Sequence, residues 1–151
     1  MRVHQVELPP DARSLSTLSR VDYEDAFLVE TGPAVQDRTA ERWARSMLED
    51  APAVVRGALP PGWFALGLRL GSPWNDRLVL GWEMRRSSPD FALFGARSHL
   101  GFLAELLFKR QRETLLFATF VQEQNGFARA LWAGLGPPHR RVVRYLLEHA
   151  T

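Results

Sequence analysis

Hydrophobic and polar positions change their period several times along the chain, and each change marks an element. Val3, Gln5 and Glu7 alternate with His4, Val6 and Leu8 before Pro9-Pro10, which predicts a short opening strand. Ala26, Phe27, Leu28 and Val29 make a compact apolar run within residues 25–30, closed by Thr31-Gly32-Pro33, and predict a second strand. From Asp37 the period lengthens. Ala40, Trp43, Ala44, Met47 and Leu48 fall at i, i+3, i+4, i+7 and i+8, with Glu41, Arg42, Arg45 and Glu49 off the stripe, so an amphipathic helix is expected with Asp37 as its N-cap. Pro52 ends or restarts it, residues 53–59 can add a turn or two, and Pro60-Pro61-Gly62 break it. Trp63, Phe64, Leu66, Leu68 and Leu70 follow as an apolar segment of no defined period, and residues 71–76 as a loop.

Residues 77–123 carry the clearest pattern, four strand-like runs separated by short breaks. Leu78, Leu80, Trp82 and Met84 share one face of the first, with Val79, Gly81, Glu83 and Arg85 on the other. If the next runs fold back as hairpins, Ala92, Phe94 and Ala96, then Ala104, Leu106 and Phe108, continue the apolar face. Phe91, Leu93 and Arg97, then Leu103, Glu105 and Lys109, continue the mixed one. The fourth run, residues 113–123, is apolar on both faces, and its register turns on whether the break at Arg110-Gln111-Arg112 has two or three free residues.

The chain closes in helix. Asn125 is positioned to cap a segment with Phe127, Ala128, Leu131 and Leu135 on one side and Trp132 beside them. Gly134 and Gly136 weaken its end, Pro137-Pro138 interrupt it, and Pro138 suits the first position of a new helix. Val142, Val143, Leu146, Leu147 and Ala150 then recur at helical spacing. The order strand, strand, helix, irregular middle, four-stranded meander and kinked terminal helix predicts an α+β domain over residues 1–151, with helices on one face of an antiparallel sheet.

Four short signatures, Asp22-Tyr23-Glu24-Asp25-Ala26-Phe27, the helix around Trp43, Gly81-Trp82-Glu83-Met84, and Trp132 with Pro138-His139-Arg140, resemble a bacterial domain family of unknown function. That family is placed in the START-like or SRPBCC superfamily, the helix-grip fold shared with polyketide cyclases. The resemblance covers roughly residues 21–150 and implies a curved antiparallel sheet wrapped around the C-terminal helix, enclosing a hydrophobic ligand pocket. The break at Gly134, Gly136, Pro137 and Pro138 departs from a continuous grip helix. Members of the superfamily include lipid carriers, hormone binders and cyclases, and fold alone does not choose among them.

Composition narrows the chemistry. At 151 residues with 46% apolar letters the chain can bury one real core, and with no cysteine it has no disulfide framework, thiolate metal site or cysteine nucleophile. Lys109 is the one lysine among nineteen basic residues, so the charge balance is carried by arginine. Residues 1–10 hold no apolar run of a secretory signal, and the apolar stretches 102–107 and 115–121 fall short of the roughly twenty residues of a membrane span. A cytoplasmic protein is expected.

His4, His99, His139 and His149 are never i, i+3 or i+4 from one another, and no phosphate-loop spacing occurs at Gly67, Gly71 or Gly81, so neither metal nor cofactor is expected. His139, beside Pro138 at the expected helix start, reads as a surface or capping residue. Ser98-His99 lacks a nucleophile elbow. Asp22, Glu24 and Asp25 form an acidic cluster suited to a divalent cation or, more simply, to a solvated strand entry. Glu83, Arg97 and Glu105 decorate the mixed face. That face is either a wet exterior or, if concave, the place of an acid–base or anchoring pair. Arg110, Arg112, Arg140, Arg141 and Arg144 are interleaved with seventeen carboxylates, which argues for solvated faces and against a nucleic-acid footprint.

The expected function is binding of a small apolar or amphipathic molecule between sheet and terminal helix. Its candidate lining is Trp82, Phe94, Leu106, Phe108, Phe117, Leu131 and Trp132, residues that ordinary core packing would also use. Two alternatives stand beside it. One is a cyclase- or dehydratase-type enzyme using Glu83, Arg97, Glu105 or Thr119; the other is an interaction module presenting Trp63, Trp74 or the proline-rich breaks.

Overall fold

A computed structural model of the chain describes residues 2–49, 68–69, 78–79 and 81–149. Eight strands among them form one sheet: β1 (Val3–Val6), β2 (Tyr23–Glu30), β3 (Leu68–Arg69), β4 (Leu78–Val79), β5 (Trp82–Ser87), β6 (Phe91–Ser98), β7 (Phe102–Arg110) and β8 (Thr114–Glu123). The order is β1-β2-β8-β7-β6-β5-β4 with β3 also on β6, and every pair is antiparallel. The α+β class expected from the sequence is what the chain adopts. Three α-helices complete the description, α1 (Pro10–Arg13), α2 (Ala40–Glu49) and α3 (Gly126–Glu148), together with a 3-10 turn at Gly32–Asp37.

Register settles the open question at the last hairpin. Phe108 pairs with Phe117 and Arg110 with Leu115, and the Gln111 amide donates to the Thr114 carbonyl at 2.8 Å. Phe117, Leu115 and Thr119 therefore share a face with Phe27, Phe94, Leu106 and Phe108, and that face carries the main core. The buried stripe of α2, Trp43, Ala44, Met47 and Leu48, packs on it over β6 and β7, and α3 lies over β1, β2 and β8. The Trp43 indole donates to the Val35 carbonyl at 3.0 Å, so its one polar atom is satisfied inside the core.

The other face is not a wet exterior. Ala26, Leu93, Leu107, Leu116, Ala118 and Phe120 make it apolar too, and the segment of residues 7–21, α1 included, is strapped across it through Leu8, Ala12, Leu15, Leu18 and Val21. Its hold is polar as well as apolar. The Glu105 carboxylate, 1% exposed, accepts from the Ser16 hydroxyl at 2.6 Å, from the Thr17 amide at 3.1 Å, and from the Thr17 hydroxyl. A buried carboxylate with several donors is tolerated because each lone pair lost to water regains a partner.

Several expectations need correction. Asp37 closes the 3-10 turn, and Thr39 caps α2 instead, accepting from the Arg42 amide at 3.3 Å. The run through Leu78 and Met84 is two strands: Gly81, at φ +90, reverses the chain so that Val79 faces Trp82. Pro137 and Pro138 lie inside one helix that runs from Gly126 to Glu148. Each proline removes an N–H, so the carbonyls of Ala133 and Gly134 lose their donors while the helical path continues. Asn125 does cap that helix, accepting from the Ala128 amide at 2.7 Å, but Phe127 in its first turn is 62% exposed rather than on the buried side. Residues 53–59, Trp63, Phe64, Leu66, Leu70, the loop 71–76 and with it Trp74 lie outside the described residues. Among the described residues no helix is long and apolar enough to cross a membrane.

Candidate functional site

Strand alternation and helical spacing converge on one polar cluster. On β2, Tyr23 and Asp25 share the helix-facing side, and the register places Thr119 of β8 opposite Asp25. On α3, Trp132, Gly136, His139, Val143 and Leu147 recur at three- and four-residue intervals and form the side turned to the sheet. A break at the prolines would have put His139 at a helix start. The continuous helix instead points it down onto β2 and β8, so the surface or capping reading of His139 is overturned.

The contacts are short and mostly enclosed. His139 Nε2 lies 3.2 Å from Asp25 Oδ2 and 3.2 Å from Thr119 Oγ1. The Tyr23 hydroxyl donates to Asp25 Oδ2 at 2.7 Å and accepts from Arg140 Nη1 at 3.1 Å. Asp25 has a side chain only 1% exposed, whereas that of His139 is 22% exposed, so the cluster reaches solvent through the imidazole. Trp132 closes the side, its ring 5.1 Å from Tyr23, 5.3 Å from His139 and 5.7 Å from Phe102. Two buried polar atoms here have no hydrogen-bond partner among the described residues, Asp25 Oδ1 and Trp132 Nε1.

This arrangement favours one tautomer of the imidazole. A carboxylate only accepts, so the nitrogen facing Asp25, Nε2, carries the proton, and in the neutral ring the lone pair resides on Nδ1. Burial, and then the neighbouring Asp25 carboxylate, push the Tyr23 phenol well above the ordinary tyrosine range, with Arg140 pulling the other way. The phenol is therefore a lasting donor to Asp25. Both orphaned atoms are sealed from solvent, so the partly exposed imidazole is where an incoming polar group would first meet the cluster.

The seven residues singled out as pocket lining fall in two groups. Trp82, Phe94, Leu106, Phe108 and Phe117 belong to the main core on the helix side, while Leu131 and Trp132 sit at the end of the sheet near Phe102 and Val121. The acidic cluster is dispersed by the pleat. Asp22 pairs with Arg20 at 2.7 Å, Glu24 with Arg13 at 2.5 Å on the strap, and Asp25 turns to His139. Among the described residues no group of three or more histidines and carboxylates is arranged to hold a metal ion. Arg97 and Glu105 do line a common cleft, on the strap face, without Glu83.

Pattern reading weighed Asp25 only as part of an acidic cluster and Arg140 only as a surface cation, and gave Tyr23 no chemical role. The signal was present: once the helix is continued through the prolines, His139 falls on the stripe of Trp132 and Val143. The chain matches no protein-family model, no curated protein and no solved structure.

Proposed function

We propose that the chain is a START-like helix-grip domain that binds a small amphipathic molecule between the sheet and α3, with Asp25, His139 and Tyr23 as the polar anchor and Trp132 as an aromatic wall. The antiparallel sheet with its C-terminal helix laid across β1, β2 and β8 supports the fold part of this reading. One observation carries the binding part: a buried acceptor, Asp25 Oδ1, and a buried donor, Trp132 Nε1, lack partners among the described residues. Leaving such groups unpaired costs about 1–3 kcal/mol each, and a ligand bearing both a donor and an acceptor would satisfy them.

The test is native mass spectrometry of the purified protein, solvent extraction of anything retained, and titration with the neutral dye Nile red. A retained molecule or saturable dye binding is expected, weakened about tenfold in Asp25→Asn, equivalent to ~1.4 kcal/mol. An empty protein without saturable uptake, or an Asp25→Asn variant that binds as the parent does, refutes the proposal.

Acid–base action on the bound molecule is a second reading, favoured by the Asp25-held imidazole whose Nδ1 makes no hydrogen bond among the described residues. It predicts that an extracted molecule changes mass or isomeric form on incubation with the protein, and that His139→Gln abolishes the change.

A further inference from the structure

Among the described residues the strap stops short of one end of its sheet face, and a cleft of about 280 Å³ opens there between Leu18 of the strap, Arg85 of β5, Arg97 of β6 and Leu103 of β7. A second cleft of about 220 Å³ adjoins it, sharing Arg97 and Leu103 and reaching Ser98 and Gln124. Arg85 is the extra residue of a bulge, since Met84 pairs with Phe94 and Arg86 with Leu93. Its guanidinium lies against the backbone of Gly95, where an added Cβ would stand 2.6 Å from Nε and 2.8 Å from Cζ. Glycine at this strand position makes the cradle in which the guanidinium rests.

The charges in this cleft are poorly matched among the described residues. Arg85 approaches the exposed Glu83 at 3.7 Å and has no closer carboxylate among the described residues. Among the described residues Arg97 forms no ion pair. Glu105 is nearby but gives its oxygens to Ser16 and Thr17. The Ser19 hydroxyl donates to Gln122 Oε1 at 3.2 Å, which leaves the N–H groups of that amide for an incoming acceptor. Leu18, Leu103 and Ala96 supply an apolar wall.

We propose that this cleft binds a small organic oxyanion, a carboxylate or phosphate on a compact apolar body, held by Arg85 and Arg97. Planar guanidinium groups match both oxyanions through paired N–H donors. The register sets Arg69 of β3 opposite Arg97, a third arginine position at this end of the sheet. The site is independent of the Asp25 cluster, on the opposite face.

The experiment is an NMR titration at ionic strength held constant with chloride, with inorganic phosphate in one arm and benzoate in the other. Saturable shifts are expected for the Arg85 and Arg97 Nε–H groups and the Leu103 and Ala104 amides. Saturation in the phosphate arm alone assigns a phosphate ester, in the benzoate arm alone a carboxylic acid, and in both a general oxyanion site. Arg97→Gln is expected to weaken binding at least tenfold. Gly95→Ala, which keeps both charges but displaces the Arg85 guanidinium, is expected to weaken it several-fold, and Asp25→Asn to bind as the parent does. Shifts that do not saturate, shifts spread over arginines outside the cleft, or an Arg97→Gln variant that titrates like the parent would overturn the proposal.

Discussion

Tyr23 links the two charged residues of the α3 site, donating to Asp25 and accepting from Arg140. With its acidity suppressed by burial and then by Asp25, it remains a neutral phenol where a free tyrosine, at about 10, would ionise. In a Tyr145→Phe background it is the one remaining tyrosine, so the 295 nm absorbance of phenolate is expected to rise only well above pH 10. Adding Asp25→Asn moves that midpoint down by the Asp25 share of the shift; an unchanged midpoint would show burial acting alone. The sign for stability follows from the raised value. Tyr23 binds its proton more tightly in the folded state, so its contribution is full below about pH 10 and is lost as pH rises towards the folded value. His139→Ala leaves the Asp25 carboxylate with Tyr23 alone, a loss of about 1–3 kcal/mol in urea unfolding that His139→Gln partly restores. At this scale the sequence supplied the letters but not the meeting. Asp25 stands in an acidic triplet that a strand's pleat distributes over two faces, and only the path of α3 decides which of the three meets an imidazole.

Elements differ in how plainly they announce themselves. The α2 stripe and the strands of the meander are legible because a single partner layer imposes one period over several turns or pleats, as at Trp43, Ala44 and Met47 or Ala104, Leu106 and Phe108. The strap has its own stripe, Leu8, Ala12, Leu15 and Leu18, but it is mostly without regular hydrogen bonding, since α1 spans only Pro10–Arg13. Its docking depends on the sheet face rather than on its own helix, so local propensity understates it. Glu105 makes the dependence testable. Glu105→Ala removes the acceptor of Ser16 and of both Thr17 donors, costing about 1–3 kcal/mol. Amide exchange across residues 8–21 should then speed up about tenfold or more, the change that ~1.4 kcal/mol gives, while the β7 and β8 amides keep their protection. Equal loosening of strap and sheet would mean that Glu105 supports the whole fold and not the strap. For α3 the local signal misleads in the other direction: two prolines carry a local meaning, a helix break, that packing against Tyr23, Thr119 and Val143's neighbours overrides.

The described residues form a sheet with a layer on each side, helices on one and strap on the other, and the two layers differ in the polar contacts that supplement their apolar burial. Both layers bury apolar side chains on the sheet, and the strap is also fastened at each end by a carboxylate. Lys109 of β7 meets Asp11 at 3.2 Å, and at the far end Asp22 pairs with Arg20 and accepts from the Glu123 amide at 2.7 Å. The Lys109 hydrogen bond and charge hold the Asp11 carboxyl below the usual range, and the Arg20 hydrogen bond, then the Glu123 amide, do the same for Asp22. A depressed folded value means that each tether contributes fully above the unfolded value, near 3.9, and that the contribution is lost as pH falls through the lower folded value. Acidification below about pH 4 is therefore expected to release the strap before the helical layer. Methyl resonances of Ala12, Leu15 and Leu18 should collapse towards random-coil positions while those of Met47, Val143 and Leu147 hold. In the double variant Asp11→Asn, Asp22→Asn the early step should shrink, because it lacks these two titrating groups while the Arg13–Glu24 pair and the Glu105 contacts still tie the strap to the sheet. If the double variant keeps the early step unchanged, groups other than Asp11 and Asp22 drive it; if both sets of methyls move together, the two layers are one cooperative unit. The strap would then be core to the fold rather than a separable wall of the arginine cleft.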